Sequence, residues 1–176
     1  MGRLVTASRW VHAKPKRRLS LILAAIVGIA LLCAGLWLSI GRQQSVNVPE
    51  AIVQAARSPI YLPKELPGHY KIDENSFSIQ ENEVVMFQAS DGAGGRITLT
   101  EQPRPPQEFD FDGFYREQLK EPETIHSTPF PSVFGKTPDQ SMMLSIVTPE
   151  TWIIATTRSP LSGDDLKLLA KRLIKY

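Results

Sequence analysis

Val84-Val85-Met86-Phe87-Gln88-Ala89-Ser90-Asp91-Gly92-Ala93-Gly94-Gly95-Arg96-Ile97-Thr98-Leu99-Thr100-Glu101 decides the fold class. Two apolar-rich runs flank a turn made of residues that tolerate positive φ, the pattern of a β-hairpin. Glu83–Ala89 carries apolar side chains on both faces, Val84 and Met86 against Val85 and Phe87, and is expected as a central strand. Across the turn, Arg96–Glu101 places Ile97 and Leu99 on one face. Pro103, Pro105 and Pro106 end the hairpin.

Upstream, Tyr70–Asp73 and Ser76–Gln80 read as short strands. Ile60–Gly68 follows Pro59, holds Pro63 and Pro67, and is expected as an extended lead-in without regular structure. Pro49 can open a brief helix reaching Ala56, after a polar linker over Gln43–Val48. Downstream, Asp110 is an N-cap for a helix that puts Phe111, Phe114, Tyr115 and Leu119 on one face and stops at Pro122. Strands follow at Pro131–Gly135, Gln140–Thr148 and Thr151–Arg158, the last two joined by a tight turn at Pro149-Glu150. Met142 and Met143 are adjacent and therefore point to opposite faces.

The last helix is the best marked. Ser162 and Asp165 form a capping-box pair, and Leu161 can staple against Leu166. Leu166, Leu169, Ala170, Leu173 and Ile174 make its apolar stripe, with Lys167, Lys171, Arg172 and Lys175 turned to water. Strands, a helix, strands and a closing helix predict an α+β domain over 58–176, an antiparallel sheet packed with one internal and one C-terminal helix.

The N-terminal part predicts topology. Leu19–Ile40 is 22 residues without a charge, about 33 Å of helix against a hydrocarbon core of roughly 30 Å. Residues 1–18 hold six cations (Arg3, Arg9, Lys14, Lys16, Arg17, Arg18) and no acid. Lys16, Arg17 and Arg18 stand at the inner end and Trp37 near the outer one, so a basic tail (1–18) is expected in the cytoplasm, a single span over 19–40, a linker over 41–57, and the folded domain outside. The apolar run is longer than that of a cleaved signal peptide, and Leu31-Leu32 before Cys33 is unlike a lipoprotein signal. Cys33 is the only cysteine, so the outer domain is expected to be disulfide-free and monomeric, held by packing. Removing the six N-terminal cations from the chain's 20 leaves 14 against 18 acids, a net −4 that offers nucleic acid no basic face.

Catalytic signals are few. His69 and His126 stand apart with no outer cysteine to complete a zinc site. No Gly-x-Ser-x-Gly elbow occurs. Glu108–Gly113 imitates the start of a calcium loop, but Leu119 occupies the place of the bidentate Glu, so acids opening a helix explain it better. Asp91–Arg96 lacks the Lys-Ser/Thr of a phosphate loop and reads as a hairpin turn. No enzyme activity, metal or cofactor is expected. Phe109, Phe111, Phe114, Tyr115, Phe130 and Phe134 gather the aromatics in one region. They are read as core, with Phe111, Phe114, Tyr115 and Leu119 as the wall of a ligand groove in the alternative.

Tyr61-Leu62-Pro63, Leu66-Pro67-Gly68-His69-Tyr70, Ile97-Thr98-Leu99-Thr100-Glu101-Gln102, Thr151-Trp152-Ile153-Ile154-Ala155-Thr156 and the following Leu161-Ser162, Asp165-Leu166 and Leu168-Leu169-Ala170 carry a resemblance over residues 58–176. The chain resembles uncharacterised bacterial extracytoplasmic domains tethered by one transmembrane helix, some of them the outer parts of anti-sigma factors. The resemblance implies a curved antiparallel sheet with helices, akin to lipoprotein carriers. Unlike the anti-sigma members, this chain has an 18-residue tail with no His/Cys set for zinc. The expected function is a binding or scaffolding module on the plasma membrane that contacts another envelope protein. The alternative is a carrier or sensor of a hydrophobic ligand held between sheet and helices.

Overall fold

The computed structural model describes residues 46–81 and 83–176. In chain order the elements are α1 (Glu50–Ala55), β1 (Tyr61–Pro63), β2 (Lys71–Gln80), β3 (Val84–Ser90), β4 (Arg96–Pro103), α2 (Phe111–Gln118), β5 (Lys120–Ile125), β6 (Ser132–Lys136), β7 (Met142–Val147), β8 (Thr151–Thr157), α3 (Gly163–Lys171) and β9 (Leu173–Lys175). The fold is α+β and mostly antiparallel sheet. Among the described residues no helix is long and apolar enough to cross a membrane. The span expected over 19–40 and its flanking Lys16, Arg17 and Arg18 lie outside the described residues.

Seven strands hydrogen-bond in the order β2-β3-β4-β8-β7-β6-β5, every pair antiparallel. The chain builds β2–β4 as a meander, crosses through α2 to the far edge, and returns as β5–β8 to close against β4. The β3–β4 hairpin is as expected, with Gly92 at φ 75° and Gly94 at φ 104° in its turn. Glu83–Ala89 forms an interior strand, β3, between β2 and β4, while β8 holds the middle of the sheet; the expected burial on both faces is incomplete, since Val85, Phe87 and Ala89 are buried and Val84 and Met86 are half-buried. The two short strands expected at Tyr70–Gln80 are one strand, β2, with a register shift between Asp73 and Ser78.

Period-2 alternation sorts the sheet into two faces. One face carries Phe87, Ile97, Leu99, Leu144, Ile146, Ile153 and Ala155, covered by Leu166, Leu169 and Ala170 of α3 and by Val48, Ile60 and Leu62. The opposite face carries Val133, Met143 and Ile154, covered by Phe111, Phe114, Tyr115 and Leu119. Met142 packs with the first cluster and Met143 with the second, as their adjacency requires. Gly135 is buried on the second face, where an added Cβ would lie 3.0 Å from Leu119 Cβ. Only a bare backbone lets Leu119 settle there.

Several expectations are corrected by tertiary pairing. Tyr61–Pro63 is extended but not irregular: it pairs with Leu173–Lys175 as a two-stranded ribbon. Leu173 and Ile174 therefore do not continue the C-terminal stripe. The helix ends at Lys171, Arg172 turns extended at φ −144°, and Ile174 is 46% exposed. Ser162 and Asp165 do form the capping box. Lys167 is not turned freely to water, since its ammonium bridges Glu123 at 2.8 Å and lies 5.2 Å above the Phe134 ring. Helix α2 ends before Pro122, and Leu119 is its extended C-cap. The chain then forms β5, where Glu121 at φ 50° sits in the register shift that lets Pro122 occupy an edge strand. Among the described residues, Val48 and Ile52, expected in a linker, pack with the core of the folded unit.

Candidate functional site

The aromatic helix is fixed by its cap and by the sheet beneath it. Asp110 accepts from the Gly113 N–H at 2.8 Å. Trp152 of β8 projects up between Phe109, Phe111 and Phe114, with ring centroids 5.5, 5.4 and 5.0 Å away. Below them Ser145 Oγ accepts from Trp152 Nε1 at 2.7 Å and bonds the Tyr115 hydroxyl at 2.9 Å, all three residues being buried. Burial raises the Tyr115 phenol above its ordinary value, which keeps it protonated as a hydrogen-bonding group. Phe111, Phe114, Tyr115 and Leu119 are thus brought together as expected, and the side they share faces Trp152, Met143 and Val133. The six aromatics do not form one group. Phe130 meets Tyr61, and Phe134 packs into the other face's core.

The same face is open at the other end of β8. A cleft of about 930 Å³ lies between the β3–β4 turn, the β6–β7 turn and the end of β8. Arg96, Thr98, Thr137, Asp139, Ser141, Thr156 and Arg158 supply its polar lining. The β4–β8 register ends with Ile97 opposite Thr157, so that Arg96 and Arg158, just past it, both line the cleft.

The acids nearby are committed to other partners. Asp91 Oδ1 accepts from the Ala93 and Gly95 N–H groups at 2.8 Å, which fixes the hairpin turn. Asp139 accepts from Thr137, from Arg158 Nη2 at 2.7 Å and from Ser141 Oγ at 3.0 Å. The Thr137 hydroxyl, then Arg158 and Ser141, hold its carboxyl well below the usual carboxylate range. Arg158 is therefore held in place by Asp139 and Ser141. Arg96 is tied only through its backbone, to Ser159 and Thr157, and among the described residues its guanidinium has no ion-pair partner. The cleft can receive a hydrogen-bonding anionic group at Arg96, flanked by hydroxyls.

One buried group was not singled out from sequence. Glu101 is 1% exposed on the first face, between Val85 and Ile153 of the flanking strands. Burial pushes its carboxyl up to about 8, against a smaller opposing effect from the Tyr61 N–H. The alternation that buries Ile97 and Leu99 puts Glu101 on their face, so a signal existed. The cleft shared by Arg96 and Arg158 had none, because it depends on which strands become neighbours. Among the described residues no group of three or more His, Cys, Asp or Glu is placed to hold a metal ion. Compared with known proteins, the chain matches no family model, no curated protein and no solved structure.

Proposed function

We propose that this chain is a single-pass membrane protein whose outer domain is a binding module for another envelope protein, engaged through the cleft at Arg96 and Arg158. The 22-residue uncharged run with its one-sided cations supports the tether and the orientation. The resemblance to bacterial extracytoplasmic domains is consistent with the same placement. One observation carries the binding surface: two arginines line an open cleft, Arg158 balanced by Asp139 and Arg96 without an ion-pair partner among the described residues. An arginine left without an acid in such a cleft gains from an acidic group supplied by a partner. The carrier alternative has no comparable support, since Trp152 and Ser145 take up the side of α2 that it would use.

Photo-crosslinking in cells tests the surface. A crosslinker at Thr98 or Thr156 is expected to trap a partner, and Arg96→Glu in the same chain is expected to abolish the adduct. Adducts that survive Arg96→Glu, or that form equally from Lys171, would remove the cleft from consideration. A reporter active only in the cytoplasm, fused after Tyr176, should be silent, and an active one would reverse the orientation.

A further inference from the structure

Strand β1 has two edges, and the chain treats them differently. On one, Ile60 accepts from the Tyr176 N–H and Lys64 donates to Arg172, both at 2.9 Å, joining the strand to β9. On the other edge the available backbone donor is Tyr61, because Pro63 has none. The Tyr61 N–H donates to Glu101 Oε2 at 2.9 Å, beneath the ribbon. Glu101 Oε1 has no partner. A carboxyl with one oxygen bonded and one bare is tolerated in such a place as the neutral acid and strongly disfavoured as the anion.

Among the described residues no cation offsets that charge. On β3 and β8 its neighbours are Val85 and Ile153. On β9, Lys175 pairs with Glu150 of the β7–β8 turn at 2.6 Å, and the Tyr61 phenol reaches the same Glu150 at 3.4 Å. After α1, Arg57 pairs with Glu83 before β3. After α3, Arg172 meets Glu65 at 3.4 Å. On β4 itself the cations are Arg96, directed to the cleft, and the exposed Arg104 past the strand's end.

We propose that Glu101 is a proton-operated latch on the β1–β9 ribbon: the neutral acid lets the ribbon lie closed on the sheet, and loss of its proton lifts the ribbon to hydrate the carboxylate. Closed, the group holds its proton up to about 8, and once hydrated it reverts to the ordinary 4.5. The closed state thus binds the proton more tightly. Its advantage is complete below about 4.5, falls roughly tenfold per pH unit across the window, and is exhausted above about 8. Neutral pH lies inside that window.

Amide hydrogen exchange of the full chain in detergent tests it, at pH 5 and pH 8 after correction for intrinsic rates. Protection at Leu62, Lys64 and Tyr176 is expected to fall at least about tenfold more than at Leu144 and Ile146 of β7. Glu101→Gln should abolish the difference. Equal changes in ribbon and sheet, or an unchanged response in Glu101→Gln, would overturn the latch. If that variant does not fold, carbon-detected titration of the wild-type Glu101 carboxyl decides instead. Titration near the ordinary value refutes the latch, and titration near 8 together with ribbon-selective exchange sustains it.

Discussion

Ser145→Ala should damage the domain far more than its size suggests, and more than Tyr115→Phe. Ser145 is fully buried, and its hydroxyl answers two groups at once, Trp152 Nε1 at 2.7 Å and Tyr115 Oη at 2.9 Å. An indole N–H can only donate, so Ser145 Oγ must accept it. Alanine leaves that donor buried without an acceptor, at about 1–3 kcal/mol, and strips the Tyr115 hydroxyl of its partner, for roughly 2–4 kcal/mol in all. Tyr115→Phe removes a hydroxyl together with its need and leaves the Trp152–Ser145 bond standing, so it should cost about 1 kcal/mol. At roughly 3 °C per kcal/mol for a domain of this size, the two variants should melt about 6–12 °C and about 3 °C below wild type. Thermal circular dichroism of the full chain in detergent measures both. The double variant should lose less than the sum, since the two changes share one network. Equal losses from the two single variants would mean that water reaches the Trp152 indole. The space under α2 would then be a groove after all, contrary to the packing described.

The remaining predictions bear on the core, the aromatic wall and pH. Leu169 is 1% exposed under α3, so Leu169→Asp should cost several kcal/mol as an unpaired buried charge, and unchanged melting would show that the helix is not docked there. Phe111→Ala and Phe114→Ala should lower the melting temperature without any uptake of a fluorescent fatty acid by the wild type; saturable wild-type uptake would revive the carrier reading. Glu101 takes up a proton on folding between its ordinary 4.5 and about 8. Stability should therefore decline as pH rises through that window, by at most about 5 kcal/mol, and Glu101→Gln should flatten the decline. Asp139 and Glu150, whose carboxyls are held low by Thr137 and Lys175 respectively, act in the opposite sense and only toward acid pH. A stability profile in which the wild type and Glu101→Gln run parallel would refute the assignment.

By itself the sequence determined what local chemistry controls. The Asp91–Gly95 turn, the caps at Asp110 and Ser162, and the alternation in β3 and β4 all arise within a few residues of chain, and each is present in the folded domain. Alternation also placed Glu101 on the buried face, although nothing local could tell that its oxygen would cap the edge of a distant strand. Tertiary structure decided the rest, wherever a segment's conformation depended on a remote partner. Lys120–Ile125 is charged and mostly exposed, without a periodic signal, and is a strand because β6 offers its edge. Leu173–Lys175 continues a helical apolar stripe on paper, yet leaves the helix because β1 has an edge to bond. Arg96 and Arg158 are far apart in the chain and line one cleft because the crossover through α2 brings β8 beside β4. Hydrogen-bonding edges and strand neighbours belong to the assembled sheet, and no short window of sequence contains them.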